Sequence, residues 1–322
     1  MVETWHSCID SELKDVEELM LNSLESENPE LTEMCHYVIS SGGKRLRPAL
    51  CILSYFANGG DDGRIPVKLG SAFEIIHTAS LVHDDINDMG EMRRGRKALH
   101  KQYTVSKAII AGDFMFAIGF NLLAGVAPRI VSYIVEASAS MGAGEFVQKD
   151  FEHASTVTEE SYLRIISGKT AKLFEASAKT GAAVLEDITM EQVDAMGQFA
   201  YNIGMAFQIV DDTLDVTGDV NNTGKAVGTD LLEGKPTLPV IYAMEDKEKG
   251  PRIAELFGKV DVTEEDVKEA IGLIRATDSI KRCLARAEVF VKEAVSYVAN
   301  LPESIYKNSM LAIANYIVSR DR

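Results

Sequence analysis

An all-α protein is predicted by three features of the 322-residue chain. Apolar residues recur at helical spacing, and no convincing series of alternating positions marks strands. Helix starts are written at Asn28-Pro29-Glu30, a capping amide followed by proline and an acid on the helix dipole, and at the boxes Thr189-Met190-Glu191-Gln192 and Thr263-Glu264-Glu265-Asp266. Glycine turns at Gly42-Gly43, Asn58 to Gly63, Gly218 to Gly224 and Gly250-Pro251 separate the helices. No low-complexity segment, Pro/Ser linker or composition shift marks a boundary, so the simplest account is a single helical domain over residues 1–322.

The formal net charge of −16, from 33 Lys+Arg against 49 Asp+Glu, argues against nucleic acid and against an anionic membrane surface. An anionic substrate would need metal ions and local basic clusters to be held. Cys8, Cys35, Cys51 and Cys283 lack ligand-like spacing and read as buried thiols of a reducing compartment. The N-terminal residues carry acid early, without a basic-then-apolar signal pattern. The longest uncharged apolar run, Phe114 to Pro128, is too short to span a bilayer. These features predict a soluble, cytoplasmic protein.

Along the chain, Gly42-Gly43-Lys44-Arg45-Leu46-Arg47-Pro48 concentrates cations beside a glycine turn whose backbone N–H groups can also face an anion. Asp84-Asp85-Ile86-Asn87-Asp88 and Asp211-Asp212-Thr213-Leu214-Asp215 each set carboxylates at i, i+1 and i+4 inside an apolar helical pattern. The first and last of each set stack on one face. Such a face repels itself unless hard cations sit among its oxygens, and Mg²⁺ prefers carboxylates shared with substrate phosphates. A solvated acidic face is the ordinary alternative, but Ala79, Leu81 and Val82 lead into the first set and Phe207, Ile209 and Val210 into the second. Arg93-Arg94-Gly95-Arg96-Lys97 follows the first set within two turns and, with metal, makes a phosphate clamp. Lys169, Thr170 and Gln208 add a cation, a hydroxyl and an amide on helices, and any of them could equally be an ordinary polar residue. The segment Gly218 to Pro239, carrying Lys225, Asp230 and Lys235, is long for a connection between helices and reads as a lid.

Two Glu-x-x-His pairs, Glu33/His36 and Glu74/His77, raise the alternative of a carboxylate-bridged di-iron bundle. That reading leaves both aspartate sets and every basic motif unexplained. A calcium loop starting from Asp85 fits worse, because Met89 and Arg96 fall where oxygen ligands are required.

Taken in order, GGKRLRP, EIIHTASLVHDDIND, RRG, AGDF, GKTAKLF, FQIVDDTLD and GKAVGTDLLEGKPTLP resemble the trans-isoprenyl diphosphate synthases, the family that makes farnesyl, geranylgeranyl and longer polyprenyl diphosphates. The match runs from about Gly42 to Pro239. It departs from the family pattern after RRG, where Lys97-Ala98 replaces the usual Pro-Thr. The resemblance implies an isoprenoid-synthase-type helical bundle around a deep central cavity, usually a homodimer, with the two aspartate motifs facing each other across its mouth.

By that resemblance, Asp84, Asp85, Asp88, Asp211, Asp212 and Asp215 would hold Mg²⁺ against an allylic prenyl diphosphate, which Arg93, Lys169, Lys225 and Lys235 would grip. Lys44, Arg47, His77 and Arg94 would bind isopentenyl diphosphate, and Thr170 and Gln208 would turn their oxygens toward the developing carbocation. A terpene cyclase shares metal-driven ionisation but would not need the second diphosphate site around Gly43 to Arg47. A non-catalytic subunit should have lost carboxylates from one motif, and both are intact. The growing chain would run along the helix that ends in the first motif, past Ala79, Ile76 and Phe73 at depths of about 7, 12 and 16 Å. Ala79 and Ser80 are small, whereas bulky residues at such positions stop growth early in the family. Ile76 would obstruct the path partly, and Phe73 is the first large aromatic on it. A product longer than C15 is expected, with C20 to C30 favoured.

Overall fold

The computed structural model describes residues 4–218 and 227–319. A 3₁₀ turn, Ser7–Ile9, leads into α1 (Asp10–Ser23), α2 (Pro29–Ile39), α3 (Leu46–Ala57) and α4 (Arg64–Asn87). After the strands β1 (Met92–Arg93) and β2 (Arg96–Lys97) come α5 (Leu99–Gln102), α6 (Val105–Asn121), α7 (Pro128–Phe151) and α8 (Glu159–Ile166). A π turn, Ser167–Ala171, joins α8 to α9 (Lys172–Ala183). The remaining helices are α10 (Met190–Thr217), α11 (Thr229–Leu232), α12 (Leu238–Met244), α13 (Gly250–Phe257), α14 (Glu264–Arg275), α15 (Ser279–Val298) and α16 (Ile305–Ser319). The all-α expectation holds.

The predicted helix starts form as written. Asn28 accepts from the N–H groups of Glu30 and Leu31 at 3.0 and 3.3 Å, with Pro29 opening α2 where its missing donor costs nothing. Thr189 with Gln192 and Thr263 with Asp266 make reciprocal capping boxes. The hairpin was not foreseen. Its strands are two residues long, and its turn residues Arg94 and Gly95 have φ of 50° and 77°, the left-handed pair that suits a two-residue hairpin. Lys97-Ala98 closes it, with the Ala98 N–H donating to the Glu91 carbonyl at 2.9 Å.

Two compact units result: Met1–Ser138 with Phe174–Gly197 and Asn300–Ala312, and Ala139–Leu173 with Gln198–Ala299 and Ile313–Arg322. In the first, α4 is the central element, and Phe73, Ile75, Ile76 and Ala79 are fully buried. Close packing needs small residues. Gly119 of α6 lies against Ile76, Gly112 lies under the His83 ring, and Gly70 of α4 faces Pro48 at the start of α3. Each large side chain so buried contributes about 1.5–3 kcal/mol. In the second unit Val216, Leu231, Val240, Ile253, Leu256, Phe257 and Ile274 form an apolar cluster that anchors the end of α10. Among the described residues no helix is long and apolar enough to cross a membrane. The four cysteines are free thiols; three are buried and Cys8 is half-buried.

Candidate active site

Both aspartate motifs occupy the final turns of long helices. Asp84 and Asp85 stand in the last turn of α4 and Asp88 is its C-cap, while Asp211, Asp212 and Asp215 lie in the last two turns of α10. Helix C-termini carry partial negative charge, so carboxylates there are set against the dipole, and neither last turn holds a basic residue. In each motif the doublet divides by direction, because successive residues on a helix point about 100° apart. Asp84 and Asp88 are half-buried on one face, whereas Asp85 is 5 % exposed. Asp211 and Asp215 are likewise half-buried, and Asp212 is 6 % exposed.

The inward Asp85 is held by Arg93, whose Nε donates to Oδ1 at 2.7 Å and whose Nη2 donates to the same oxygen. The hairpin thereby brings Arg93 and Arg94 back over the end of α4. Arg94 donates through Nη1 to the Gly42 carbonyl. Glycine is favoured at position 43 beside it, where φ is 152° and a Cβ would stand 3.0 Å from Arg94 Nη1 and 3.1 Å from Arg45 Nη1. Arg47 is buried, its guanidinium 4.7 Å from the centre of the Phe174 ring, and its Nε has no hydrogen-bond partner. Burial, and then the charge of Arg94, lower its pKa to about 10 despite Glu74. His77 is pushed well below the ordinary histidine range by burial and by Arg47, Arg94, Arg93 and Arg45, so it stays neutral. The first unit therefore holds a cluster of crowded cations around His77 whose repulsion an anion would relieve. The sequence reading missed Arg45 as a support: it donates to Glu74 at 3.0 Å and to the Ile39 carbonyl at 2.9 Å, which fixes the turn carrying Lys44 and Arg47.

In the second unit the π turn re-aims Lys169 and Thr170. Lys169 pairs with Glu145 and donates to Gln148 Oε1 at 3.2 Å. Thr170 donates to Gln208 Oε1 at 2.9 Å, and Gln208 Nε2 donates to Asp212 Oδ1 at 2.7 Å. The Tyr162 hydroxyl donates to Asp212 Oδ2, also at 2.7 Å. Burial, then the Asp212 charge, push this phenol well above its ordinary value, which keeps it a donor. These residues line a cavity of about 100 Å³ together with Asp230, Lys235 and Thr237. Lys235 pairs with Glu233 at 2.5 Å. The described part of the Gly218 to Pro239 segment is pinned to α10, because Asp215 accepts from the N–H groups of Thr229 and Asp230 at 3.2 and 3.1 Å. Burial and the Asp230 charge raise the pKa of Asp215 to about 7, and burial and Asp230 raise Asp212 well above the carboxylate range.

The six aspartates fit a hard divalent cation. Every donor is a carboxylate oxygen, the helix ends leave negative charge that a cation would offset, and in the second motif the Asp230 charge, after burial, raises the proton affinity of both Asp212 and Asp215. Among the described residues no three acidic, histidine or cysteine side chains close on one point. One or two carboxylates per ion, with substrate phosphates and water completing the octahedron, is the habit of Mg²⁺.

Of the residues singled out from the sequence, Asp84, Asp85, Asp88, Arg93, Arg94, Lys44, Arg47 and His77 fall in the first unit. Asp211, Asp212, Asp215, Lys169, Thr170, Gln208 and Lys235 fall in the second. Lys225 lies outside the described residues. The Glu-x-x-His pairs are engaged elsewhere: Glu33 accepts from the Tyr103 hydroxyl at 3.0 Å, His36 Nε2 is 3.0 Å from the Leu21 carbonyl, and Glu74 takes Arg45. They do not form a di-iron site. On α4, helical geometry places Ser80, His77 and Phe73 under Asp84, while Ile76 turns to Gly119 of α6.

Residues 28–274 match the family model described as Polyprenyl synthetase. The octaprenyl diphosphate synthase of Escherichia coli is 32 % identical over 97 % of this chain and 96 % of its own length. The geranylgeranyl diphosphate synthase of Methanosarcina mazei is 34 % identical, covering 91 % of this chain and 90 % of that protein. The crystal structure of the polyprenyl synthase of Caulobacter crescentus, complexed with calcium and isoprenyl diphosphate, superimposes with a TM-score of 0.93 at 29 % identity over 99 % of this chain and 97 % of the other.

Proposed function

Because the chain belongs to the polyprenyl synthetase family, we propose that it condenses an allylic prenyl diphosphate head-to-tail with isopentenyl diphosphate, giving a longer all-trans prenyl diphosphate and free diphosphate. The observation that carries this reading is the pairing of intact acidic helix ends with two separate groups of cations. A single diphosphate would need only one of those groups. On this reading the two units serve one reaction, with isopentenyl diphosphate taken by Lys44, Arg47, His77 and Arg94.

The reaction begins with heterolysis of the allylic C–O bond, the electron pair leaving with diphosphate. Bound Mg²⁺ would supply charge neutralisation on that leaving group, held by Asp84, Asp88, Asp211 and Asp215 with the inward Asp85 and Asp212 behind them. Arg93, Lys169 and Lys235, which pair with Asp85, Glu145 and Glu233, would add donors to the charge that grows on the diphosphate as the bond breaks. Thr170 and Gln208 place polar oxygens near the cation. The double bond of isopentenyl diphosphate, oriented by its own arginines, attacks that carbon, and loss of a proton to the released diphosphate restores neutrality. With Mg²⁺, isopentenyl diphosphate and an allylic primer, diphosphate release and an elongated prenyl product are expected, both abolished by EDTA. Turnover unchanged by the chelator, or no elongation with any primer, overturns the assignment.

The ruler for product length is assigned to α4. Ser80 leaves room just below the first motif, the small Ala79 lies about 100° round the helix from it, Ile76 packs toward α6, and the fully buried Phe73 is the first aromatic obstacle. A product longer than C15, with C20 to C30 favoured, follows. Ala79→Phe should shorten the product and Phe73→Ala lengthen it, as read by chromatography of the dephosphorylated alcohols. If neither variant alters the length, this helix is not the ruler.

A further inference from the structure

The mechanism above leaves Tyr162 without a part, although it is fully buried and gives its only hydroxyl proton to Asp212. The hydrogen bonds around it run in one direction. Tyr162 and the Gln208 amide nitrogen donate to the two oxygens of Asp212, and the hydroxyl of Thr170 donates to the oxygen of the same Gln208 amide. Each oxygen of Asp212 thus accepts from one of these two donors. Asp212 therefore fixes which way the Gln208 amide faces, since a flipped amide would set oxygen against oxygen. The amide in turn fixes the Thr170 hydrogen, because the oxygen it presents must be given a donor.

We propose that Tyr162 is a positioning residue for the ionisation step: by holding Asp212 it locks the Gln208 amide, whose oxygen takes up the Thr170 hydrogen and so leaves the Thr170 oxygen lone pairs for the allylic cation. The assignment rests on the prenyl transfer proposed above. Without the Tyr162 hydroxyl, Asp212 keeps one donor and gains freedom to rotate, and the amide and the hydroxyl lose their fixed sense. A hydroxyl free to turn its hydrogen toward the allylic cation would oppose it.

Tyr162→Phe removes one oxygen and keeps the ring that packs. In steady-state assays it is expected to lower kcat about tenfold to a hundredfold, with KM for isopentenyl diphosphate and the melting temperature little changed. The decisive measurement is a double-mutant cycle with Thr170→Val. If Tyr162 acts through Thr170, the double variant is no slower than Thr170→Val alone; losses that simply multiply overturn the proposal. A second reading avoids turnover. With Mg²⁺ and inorganic diphosphate present, calorimetry compares a dimethylalkylammonium ion with its neutral isopropyl-ended isostere, and Tyr162→Phe should lose about tenfold in preference for the cation. An unchanged preference also overturns the proposal. Should Tyr162→Phe fail to fold, Tyr162→Leu, which also removes the hydroxyl and leaves every aspartate in place, takes its place in both measurements. Failure of the wild type to elongate any primer would instead remove the prenyl transfer reading, and the ammonium preference still decides whether Tyr162 orients Thr170.

Discussion

Asp84→Ala and Asp211→Ala are each expected to lower kcat for prenyl transfer by about a hundredfold to a thousandfold, with comparatively small changes in KM for isopentenyl diphosphate. Both positions are half-buried at a helix end, where a carboxylate is set against the dipole. On the proposed mechanism the charge they serve grows as the C–O bond breaks, so their loss should fall on the transition state rather than on substrate binding. Arg94→Ala, in the cation cluster around His77, and Lys44→Ala, in the adjoining glycine turn, provide the contrast and on the proposed reading should act mainly on KM for isopentenyl diphosphate. The two aspartates stand in different units, and equal losses from both would mark those units as parts of one functional domain. Steady-state kinetics with each substrate varied in turn decides the matter. An Asp84→Ala enzyme with raised KM and unaltered kcat would sink the ionisation role.

The second large effect is expected at Gly144→Val. A Cβ at Gly144 would stand 2.8 Å from the backbone nitrogen of Lys169, and one at Gly168 would stand 2.8 Å from the Ser140 carbonyl oxygen. Backbone meets backbone here, so no side chain can swing aside. A branched residue must push α7 and the π turn apart, at a cost of about 3 kcal/mol, and calorimetry should show a melting temperature lower by roughly 6–12 °C. The same displacement moves Lys169 and Thr170, and activity should fall with stability. Gly142 is the control on the same helix. Nothing lies within 4 Å of its added Cβ, so Gly142→Ala should stabilise by about 0.5–1 kcal/mol and leave activity intact. A Gly144→Val protein that melts like the wild type would show that the helices can separate freely.

Much of this was legible before the fold was seen, and what was legible is local. The caps at Asn28, Thr189 and Thr263 depend on residues three positions apart, and they formed as read. The two aspartate sets were found because repeated acid inside an apolar pattern has few bland explanations. What stayed hidden depends on partners distant in sequence. Tyr162 is 50 residues from Asp212 and has no signature of its own in a helix where aromatic residues are ordinary core. Arg45 looked like one more cation in a basic run until its partners Glu74 and Ile39 were known. The hairpin was invisible because two-residue strands carry no alternation to detect. The inward turn of Asp85 and Asp212 was available from helical angle alone, but a sequence does not say which side of a helix is covered.

The π turn at Ser167–Ala171 constrains how this chain can vary over generations. An i→i+5 turn holds one residue more than the helix it interrupts, so α8 and α9 are out of phase by about 100°. Deleting a single codon between Tyr162 and Phe174 would leave a plausible continuous helix, with the same composition and nearly the same hydrophobicity. It would also swing Lys169 and Thr170 away from Gln148 and Gln208, or Tyr162 away from Asp212, because both groups cannot keep their direction on an unbroken helix. Substitutions can be sampled there one at a time, whereas changes of length are closed. Descendants of this gene should differ in residue identity across that stretch and agree in its count, which length comparison across sequenced relatives can check without any assay.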